Sequence, residues 1–192
     1  FKTFDKIKEE SNDKDKKYNK LRKESSIKKE ILYVTAQEHA VPSSMLAMIK
    51  YIKAEKNDYE QLITVNSGNI KESEERLKRY NLSDIQIITR DDEKYLKSLS
   101  EAEYIFSDCG LEYYFAAKNN QKYFNLQTDN ISAKMTRKKE RECFEFATVQ
   151  KSIITPKASI YLTNESRLSF EKAYRCEMLP TSAIISDSPA FD

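Results

Sequence analysis

Glycine, histidine and tryptophan are scarce in this sequence: two Gly, one His and no Trp occur among 192 residues. A glycine-rich loop that could cradle a nucleotide phosphate is therefore missing, and we expect no nucleotide site in this part of the protein. The three cysteines, Cys109, Cys143 and Cys176, are odd in number and lack the spacing of a metal site. We interpret them as reduced thiols of a cytoplasmic protein, and we expect neither a metal nor a cofactor.

Long hydrophobic runs are also lacking. No apolar stretch approaches the roughly 20 residues that span a bilayer, and no charged-then-apolar signal peptide opens the chain. We therefore expect a cytoplasmic protein whose membrane contact, if there is one, is peripheral and at the inner face of the cell membrane. The chain begins with Phe1 and stops just after a strand-like segment, which predicts a piece of a longer protein.

The composition, with 39% hydrophobic and 33% charged residues, is that of a globular protein with long helices. The charge is uneven, because residues 1–29 carry 11 Lys/Arg against 6 Asp/Glu and residues 30–192 carry 22 against 25. We predict that residues 1–29 form a basic helical linker or appendage, interrupted around Ser11–Asp15, and that residues 30–192 form the domain. The appendage is interpreted either as a solvated connecting helix or as a segment that binds an anionic membrane surface.

Strand-like and helix-like segments alternate along residues 30–192. The apolar run Glu30–Ala36 predicts the first strand, and Pro42 opens a helix whose apolar residues recur at helical spacing through Lys56. Further strands are predicted at Tyr59–Val65, Ile85–Thr89, Glu103–Ser107, Lys122–Leu126, Ala158–Thr163 and Ala183–Ser186, and further helices at Lys71–Tyr80, Asp91–Leu99, Ser132–Gln150 and Glu165–Tyr174. This order predicts an α/β, Rossmann-like three-layer domain with a mostly parallel sheet.

Three segments, taken together and in order, carry a resemblance to a known family. Ile31–Val65 contains a strand, a loop ending in proline, a helix and the lead into a second strand. Ala102–Gln127 contains a strand, an aromatic segment and another strand, and Ser159–Asp192 closes the chain with a strand, a helix and a strand. The three segments resemble the CDP-glycerol glycerophosphotransferase family, the teichoic acid primases and polymerases of Gram-positive bacteria.

The resemblance implies the N-terminal half of a GT-B enzyme, in which two Rossmann-like domains enclose the active site. In that family a hydroxyl of a phosphate-rich polymer or lipid-linked acceptor attacks the β-phosphate of a CDP-alcohol, carrying glycerol or ribitol, and releases CMP. The CDP-alcohol donor binds the C-terminal half, which is missing here. The chain is therefore expected to be an acceptor-side domain that is inactive alone, with no nucleic-acid partner.

Two other interpretations stay open at this point. The chain could be a degenerate, non-catalytic relative that binds a polymer or a partner protein, or the N-terminal half of a nucleotide-sugar glycosyltransferase of the same fold. The aromatic residues Tyr113, Tyr114 and Phe115 are interpreted either as the lining of an acceptor groove or as core packing.

The sequence departs from the family pattern where a catalytic histidine is expected. After its fifth strand the family carries Trp-His-Gly-Thr-Pro-Leu-Lys, whereas this chain has Gln127, Thr128, Asp129 and Asn130, with Thr128 at the histidine position. Threonine does not take up a proton near neutral pH as imidazole does. Asp129 could act as the base instead, the alternative being that it caps the following helix. His39, in the loop after the first strand, is a second candidate, the alternative being an ordinary surface histidine.

A basic segment follows the same loop. Lys134, Arg137 and Lys138 would neutralise a phosphate-rich acceptor, with Thr128 and Asn130 as polar ligands in the loop before them. The alternative is a solvated helix face whose cations pair with neighbouring glutamates.

Overall fold

The computed structural model describes residues 2–36, 40–55, 58–127, 147, 150–152, 154–176 and 182–186, with the backbone alone at 2–12 and at 127. The strands are β1 (Lys28–Val34), β2 (Glu60–Thr64), β3 (Gln86–Ile88), β4 (Ala102–Ser107), β5 (Lys122–Gln127), β6 (Ala158–Tyr161) and β7 (Ala183–Ile185). The helices are α1 (Lys2–Glu24), α2 (Ser43–Glu55), α3 (Ile70–Arg79), α4 (Glu93–Glu101) and α5 (Asn164–Ala173), and a short 3-10 helix, Ser67–Asn69, precedes α3.

The seven strands form one sheet in the order β3-β2-β1-β4-β5-β6-β7, and every described strand pair is parallel. The chain moves from β1 outward to β3, returns across β1 to β4 and then continues to β7. The direction of winding therefore reverses between β1 and β4, where Ile31 lies beside Tyr104 and Val34 beside Ser107. The predicted α/β, Rossmann-like architecture is confirmed.

The core lies on both faces of the sheet because β1 is apolar on both of its faces. Successive strand residues point to opposite sides, so Leu32 and Val34 pack on one side and Ile31 and Tyr33 on the other. The first side is covered by α1 and α4, through residues that include Tyr18, Tyr95, Leu96 and Leu99. The second is covered by α2 and α3, through residues that include Met45, Leu46, Ile49 and Leu77. The result is the expected three-layer arrangement.

Helix α1 differs from the sequence expectation. It is continuous from Lys2 to Glu24, so the interruption predicted around Ser11–Asp15 is wrong. Its second half is packed, because Tyr18 is fully buried in the core and its hydroxyl donates to the Ala116 carbonyl at 3.1 Å. The domain division at residue 30 stays a prediction, but the second half of α1 contributes to the same core as the sheet.

The other predicted strands and helices lie within a few residues of the observed ones. The predicted helix Ser132–Gln150 falls largely outside the described residues, of which 147, 150–152 and 154 are helical. Over the described part of the chain, no helix is both long enough and apolar enough to span a bilayer.

Candidate functional site at the carboxyl edge of the sheet

The reversal of winding between β1 and β4 indicates where a ligand is expected to bind. In open α/β sheets, ligands bind beyond the carboxyl ends of the strands at such a switch point, because the loops diverge there and leave a crevice. We call the loops that follow β1 to β6 at this end the carboxyl edge. Val34 of β1 is level with Thr64 of β2 and Ser107 of β4, so these three loops begin side by side.

The loop after β1 is held by both neighbouring strands. Thr35 is fully buried, its amide donates to Thr64 Oγ1 at 3.1 Å and its hydroxyl donates to the Thr64 carbonyl at 2.6 Å. The next amide, of Ala36, donates to Asp108 Oδ1 at 2.8 Å. The start of the loop that leads to His39 is therefore fixed to β2 on one side and to the β4 loop on the other.

The loop after β4 makes a tight turn over Ser107–Gly110. Ser107 Oγ accepts from the Cys109 amide at 3.3 Å and donates to the Gly110 carbonyl at 3.0 Å. Gly110 has φ +77°, and a Cβ there would lie 2.9 Å from Ser152 Cβ. Glycine is therefore required at position 110, because the backbone has a positive φ and because no space is left for a Cβ.

Arg90, in the loop after β3, joins these loops. Its Nη2 donates to the Thr35 carbonyl at 3.1 Å and to Cys109 Sγ at 2.8 Å, and its Nη1 lies 3.5 Å from Glu112 Oε1. The other carboxylate oxygen of Glu112 accepts from the Tyr95 hydroxyl at 2.5 Å. We call Arg90, Tyr95, Cys109 and Glu112 the Arg90 cluster.

The protonation of Cys109 and Tyr95 follows from the withdrawal of their polar atoms from solvent, although Cys109 as a whole residue is exposed. Burial raises the pKa of the Cys109 thiol to about 11, against the opposing effect of the Arg90 charge. The thiol is therefore neutral near pH 7 and is a poor nucleophile. Burial also holds the pKa of Tyr95 well above its ordinary value, so this hydroxyl stays a donor to Glu112. The described cluster is suited to hydrogen bonding and orientation, not to covalent chemistry.

The aromatic segment after the turn belongs to the core at its last residue. Phe115 is only 2% exposed, and its ring packs edge-on against Tyr123 at 5.5 Å between centroids. Tyr114 packs against the same cluster, with its ring centroid 5.4 Å from that of Tyr18. Tyr113 is half-buried, and its carbonyl accepts from Lys151 Nζ at 2.5 Å. For Tyr114 and Phe115 the core-packing interpretation describes what the structure shows.

The residues singled out from the sequence as a site lie outside the described residues; they are His39, Thr128, Asp129, Asn130, Lys134, Arg137 and Lys138. Their neighbours are described. Ala36 and Ala40 flank the loop that holds His39, and β5 ends at Gln127, level with Tyr161 of β6. Since β5 is parallel to β4, residue 128 follows a strand that ends at the carboxyl edge.

The sequence reasoning missed Arg90, Asp108 and Glu112. A signal for the first two was present, because each is a charged residue within two positions of the end of a buried strand. Glu112 gave no such signal, since it lies five residues beyond the end of β4, at the start of the aromatic segment. Among the described residues no group of His, Cys, Asp and Glu side chains is arranged to hold a metal ion.

Comparison with known families gives a match that covers most of the chain. Residues 17–179 match the model of the family described as CDP-Glycerol:Poly(glycerophosphate) glycerophosphotransferase. No curated protein sequence matches the chain significantly.

Solved structures of the wall teichoic acid polymerase TagF have the same fold. A histidine-to-asparagine variant is 15% identical with a TM-score of 0.67, over 93% of this chain and 43% of that chain. A histidine-to-alanine variant is 15% identical with a TM-score of 0.63, over 97% and 46%. The asparagine variant soaked with CDPG is 16% identical with a TM-score of 0.61, over 92% and 45%. The chain spans less than half the length of these structures.

Proposed function

The chain belongs to the CDP-glycerol:poly(glycerophosphate) glycerophosphotransferase family, and we propose that it is the acceptor-side domain of a teichoic-acid-type glycerol- or ribitol-phosphate transferase. The family match over residues 17–179 is the observation that carries the proposal. Because the chain spans less than half of the TagF structures, we assign the full reaction to a protein that joins this domain to a donor-binding half. The domain alone is expected to be inactive.

The reaction proposed for that protein is phosphoryl transfer from a CDP-alcohol. The acceptor hydroxyl oxygen forms a bond to the β-phosphorus, the bond from that phosphorus to the bridging oxygen breaks, and CMP leaves. A base takes the hydroxyl proton as the bond forms. Catalysis of this kind depends mainly on positioning and on neutralising phosphate charge.

We propose that Asp129 is the base that takes the acceptor hydroxyl proton, with His39 as the second candidate. The end of β5 at Gln127 supports this assignment, since the loop that holds Asp129 follows it at the carboxyl edge. Lys134, Arg137 and Lys138 are proposed to neutralise the acceptor phosphates, with Thr128 and Asn130 donating further hydrogen bonds. All seven residues lie outside the described part of the chain.

The acceptor is proposed to be a polyol-phosphate polymer or its lipid-linked primer, met at the cytoplasmic face of the membrane of a Gram-positive bacterium. An exposed row of cations on α1 supports a peripheral contact there: Lys16, Lys20 and Lys23 recur at helical spacing, away from the buried Tyr18. Each lysine near an anionic surface contributes about 1 kcal/mol, so three give a weak, salt-sensitive attachment. Sedimentation with anionic liposomes at two salt concentrations tests it, and equal sedimentation with neutral liposomes would contradict it.

A second candidate function is binding without catalysis. The observation that favours it is Thr128, which stands where the family carries its catalytic histidine. A domain of this kind would hold the phosphate-rich polymer through its cations and release no CMP.

The experiment that separates the two measures CMP release by the complete protein. Purified full-length protein is given CDP-glycerol or CDP-ribitol, with or without a lipid-linked glycerol phosphate acceptor. We expect acceptor-dependent CMP release, a decrease of about 10²-fold or more in Asp129→Asn because a general base is lost, and none from residues 1–192 alone. The control is Asp58→Asn, at the opposite end of the sheet, which should keep full activity.

Three results are decisive. Release of CMP that falls in Asp129→Asn supports both the transferase and the assigned base. Release that is unchanged in Asp129→Asn but lost in His39→Ala moves the base to the β1 loop. Retention of polymer without CMP release from either donor overturns the transferase and leaves the binding function.

A further inference from the structure

We propose that Arg90 is a positioning residue for the transferase site, acting as a cross-link that sets the relative positions of the β1 and β4 loops. The inference rests on the proposed function for its kinetic consequence, but its geometry is independent of it. Arg90 follows β3, two strands away from the switch point, and its side chain reaches across the intervening ends of β2 and β1.

The first contact of Arg90 fixes the β1 loop. Its Nη2 donates to the carbonyl of Thr35 at 3.1 Å, while the amide and hydroxyl of the same residue bond to Thr64. The amide and carbonyl of Thr35 are thereby both bonded at the residue where the loop leaves the sheet. The path of the chain through Thr35 and Ala36 is set by these contacts together with the Ala36 amide bond to Asp108.

The second set of contacts fixes the β4 loop. The same Nη2 lies 2.8 Å from Cys109 Sγ, and Nη1 lies 3.5 Å from Glu112 Oε1. Tyr95, in the first turn of α4, holds the other oxygen of Glu112. The Arg90 guanidinium therefore joins the loops after β1 and β4 to the loop after β3, and Glu112 extends the contacts to the start of α4.

The local charge favours positioning over the binding of an acceptor phosphate. Glu112 partly balances the Arg90 charge, and the carboxylate of Asp108 lies in the neighbouring turn. An anionic ligand at Arg90 would meet both carboxylates. The side chain is also only 24% exposed, and its Nε is buried without a hydrogen-bond partner among the described residues. Arg90 thus has little surface for a ligand, and it differs in this respect from the cations proposed after β5.

The planar shape of the Arg90 guanidinium is essential to its positioning role. A guanidinium presents several donors in a rigid plane and can serve a carbonyl, a thiol and a carboxylate at once, whereas the compact ammonium of lysine on a flexible stem cannot hold the same fork. Arg90→Lys, which keeps the positive charge, should therefore not preserve the relative positions of the β1 and β4 loops.

The test compares Arg90→Gln and Arg90→Lys with Arg79→Gln in the complete protein. Arg79 is an exposed residue at the end of α3 and provides the same charge change on a different surface. Hydrogen exchange is measured at the amides of Ala36 and Cys109, which are bonded between and within the two loops. We expect exchange about tenfold faster at these amides in both Arg90 variants, the effect of losing one net hydrogen bond, and no change in Arg79→Gln.

The kinetic readout separates positioning from binding. We expect kcat for CMP release to fall by about 10²-fold in both Arg90 variants, because a small displacement of the reacting groups is costly. KM for the acceptor should change by less than about twofold, since Arg90 does not touch it. Restoration of kcat by lysine, or a loss confined to KM, would overturn the proposal in favour of a simple charge or a ligand contact.

Failure of the transferase proposal and failure of the Arg90 proposal are seen in different measurements. If the complete protein releases no CMP, the transferase fails, but the exchange rates still decide whether Arg90 orders the loops. Parental exchange rates in both Arg90 variants would overturn the cross-link whatever the activity. If Arg90→Gln does not fold, Arg90→Lys supplies the same comparison.

Discussion

The two ends of the sheet are both rich in polar side chains, yet they use them differently. At the carboxyl edge, Thr35, Arg90 and Asp108 bond to backbone atoms of neighbouring loops. At the opposite end, which we call the amino edge, four ion pairs join side chains; the pairs are Lys28–Glu101, Lys29–Asp58, Lys94–Glu60 and Lys122–Glu103. Backbone contacts occur there too, since Gln121 Nε2 donates to the Leu99 and Ala102 carbonyls.

The two kinds of contact differ in how strongly they constrain the backbone. A bond to a backbone atom determines the path of a loop, and if it is buried its loss leaves an unpaired polar group. An exposed ion pair is weakened by solvent and salt, and the backbone hydrogen bonds do not depend on it. The buried backbone contacts of the carboxyl edge are therefore expected to be sensitive to single substitutions, and the exposed ion pairs of the amino edge tolerant of them.

Gly110→Ala should have the largest effect. An alanine at φ +77° is strained, and its Cβ would lie 2.9 Å from Ser152 Cβ, so the Ser107–Gly110 turn must move. We expect a loss of about 2–4 kcal/mol in the free energy of unfolding, from the backbone strain and the overpacking together. Urea unfolding of the purified protein measures it.

The other glycine provides a matched control. A Cβ on Gly68 would meet only Asn66 Oδ1, at 3.8 Å, which is an ordinary contact. Gly68→Ala should change the free energy of unfolding by less than about 0.5 kcal/mol. Equal losses in both variants would mean that the turn after β4 is no more constrained than the exposed turn after β2 at the same edge.

Thr35→Val should have the second largest effect. Valine keeps the shape but removes the hydroxyl that donates to the Thr64 carbonyl at 2.6 Å in a fully buried position. We expect a loss of about 1–2 kcal/mol in thermal or urea unfolding. Thr89→Val is the control, since the hydrogen bonds given for Thr89 among the described residues are made by its backbone amide and carbonyl, and it should cost less than about 0.5 kcal/mol. A larger loss in the control than in Thr35→Val would contradict the assignment.

Much of the fold could be predicted from the sequence because its signals are local. The continuous apolar run of β1 requires cover on both faces, and the alternation of strands with helices of moderate length requires parallel pairing. Helix α1 was harder, because its packing face is short and interrupted by lysines. In the sequence, Tyr18 is an aromatic residue within a basic segment. Its hydroxyl bonds to the carbonyl of Ala116, almost a hundred residues later, and such a distant contact leaves no local signal.

The site could be predicted less well, for the same physical reason. That loops after parallel strands meet at one edge follows from topology, and it directs attention to the loops after β1 and β5, whose candidate residues lie outside the described part of the chain. Which side chains meet there depends on contacts between distant residues, such as Arg90 with Thr35 and Cys109, and no periodicity encodes them. The roles of Asp129 and His39 stay predictions.

Glu30→Gln tests a buried carboxyl at the amino edge, on a residue that is only 5% exposed. Burial raises the pKa of this carboxyl above its ordinary value of 4.5, although a hydrogen bond from Ser98 opposes the shift. The folded state therefore binds the proton more tightly than the unfolded state, so stability contributed by the protonated carboxyl is present at low pH and is lost as the pH rises through the folded pKa. The variant, which is neutral at every pH, should be more stable than the parent at pH 7 and nearly equal to it at pH 3.

Melting temperatures between pH 3 and pH 7 measure the difference. Glu75→Gln, an exposed glutamate on α3, is the control and should show no gain that grows with pH. A constant difference across the range, or a variant that is less stable at pH 7, would mean that the Glu30 carboxylate is paired in the folded protein, and the amino edge would then resemble the carboxyl edge at this position.

Lys29→Gln should have the smallest effect. Lys29 Nζ lies 2.5 Å from Asp58 Oδ2, but both side chains are more than half exposed, at 67% and 54%, so water and salt compete for each charge. We expect no change in the free energy of unfolding beyond the error of a urea titration, at low or at high salt, because exposed pairs lose in side-chain freedom what they gain in attraction. The removal of Asp58 in Asp58→Asn should be equally silent. A loss comparable to that of Thr35→Val would show that a surface pair at the amino edge stabilises the fold as much as a buried backbone contact, and the two edges would differ in chemistry but not in sensitivity.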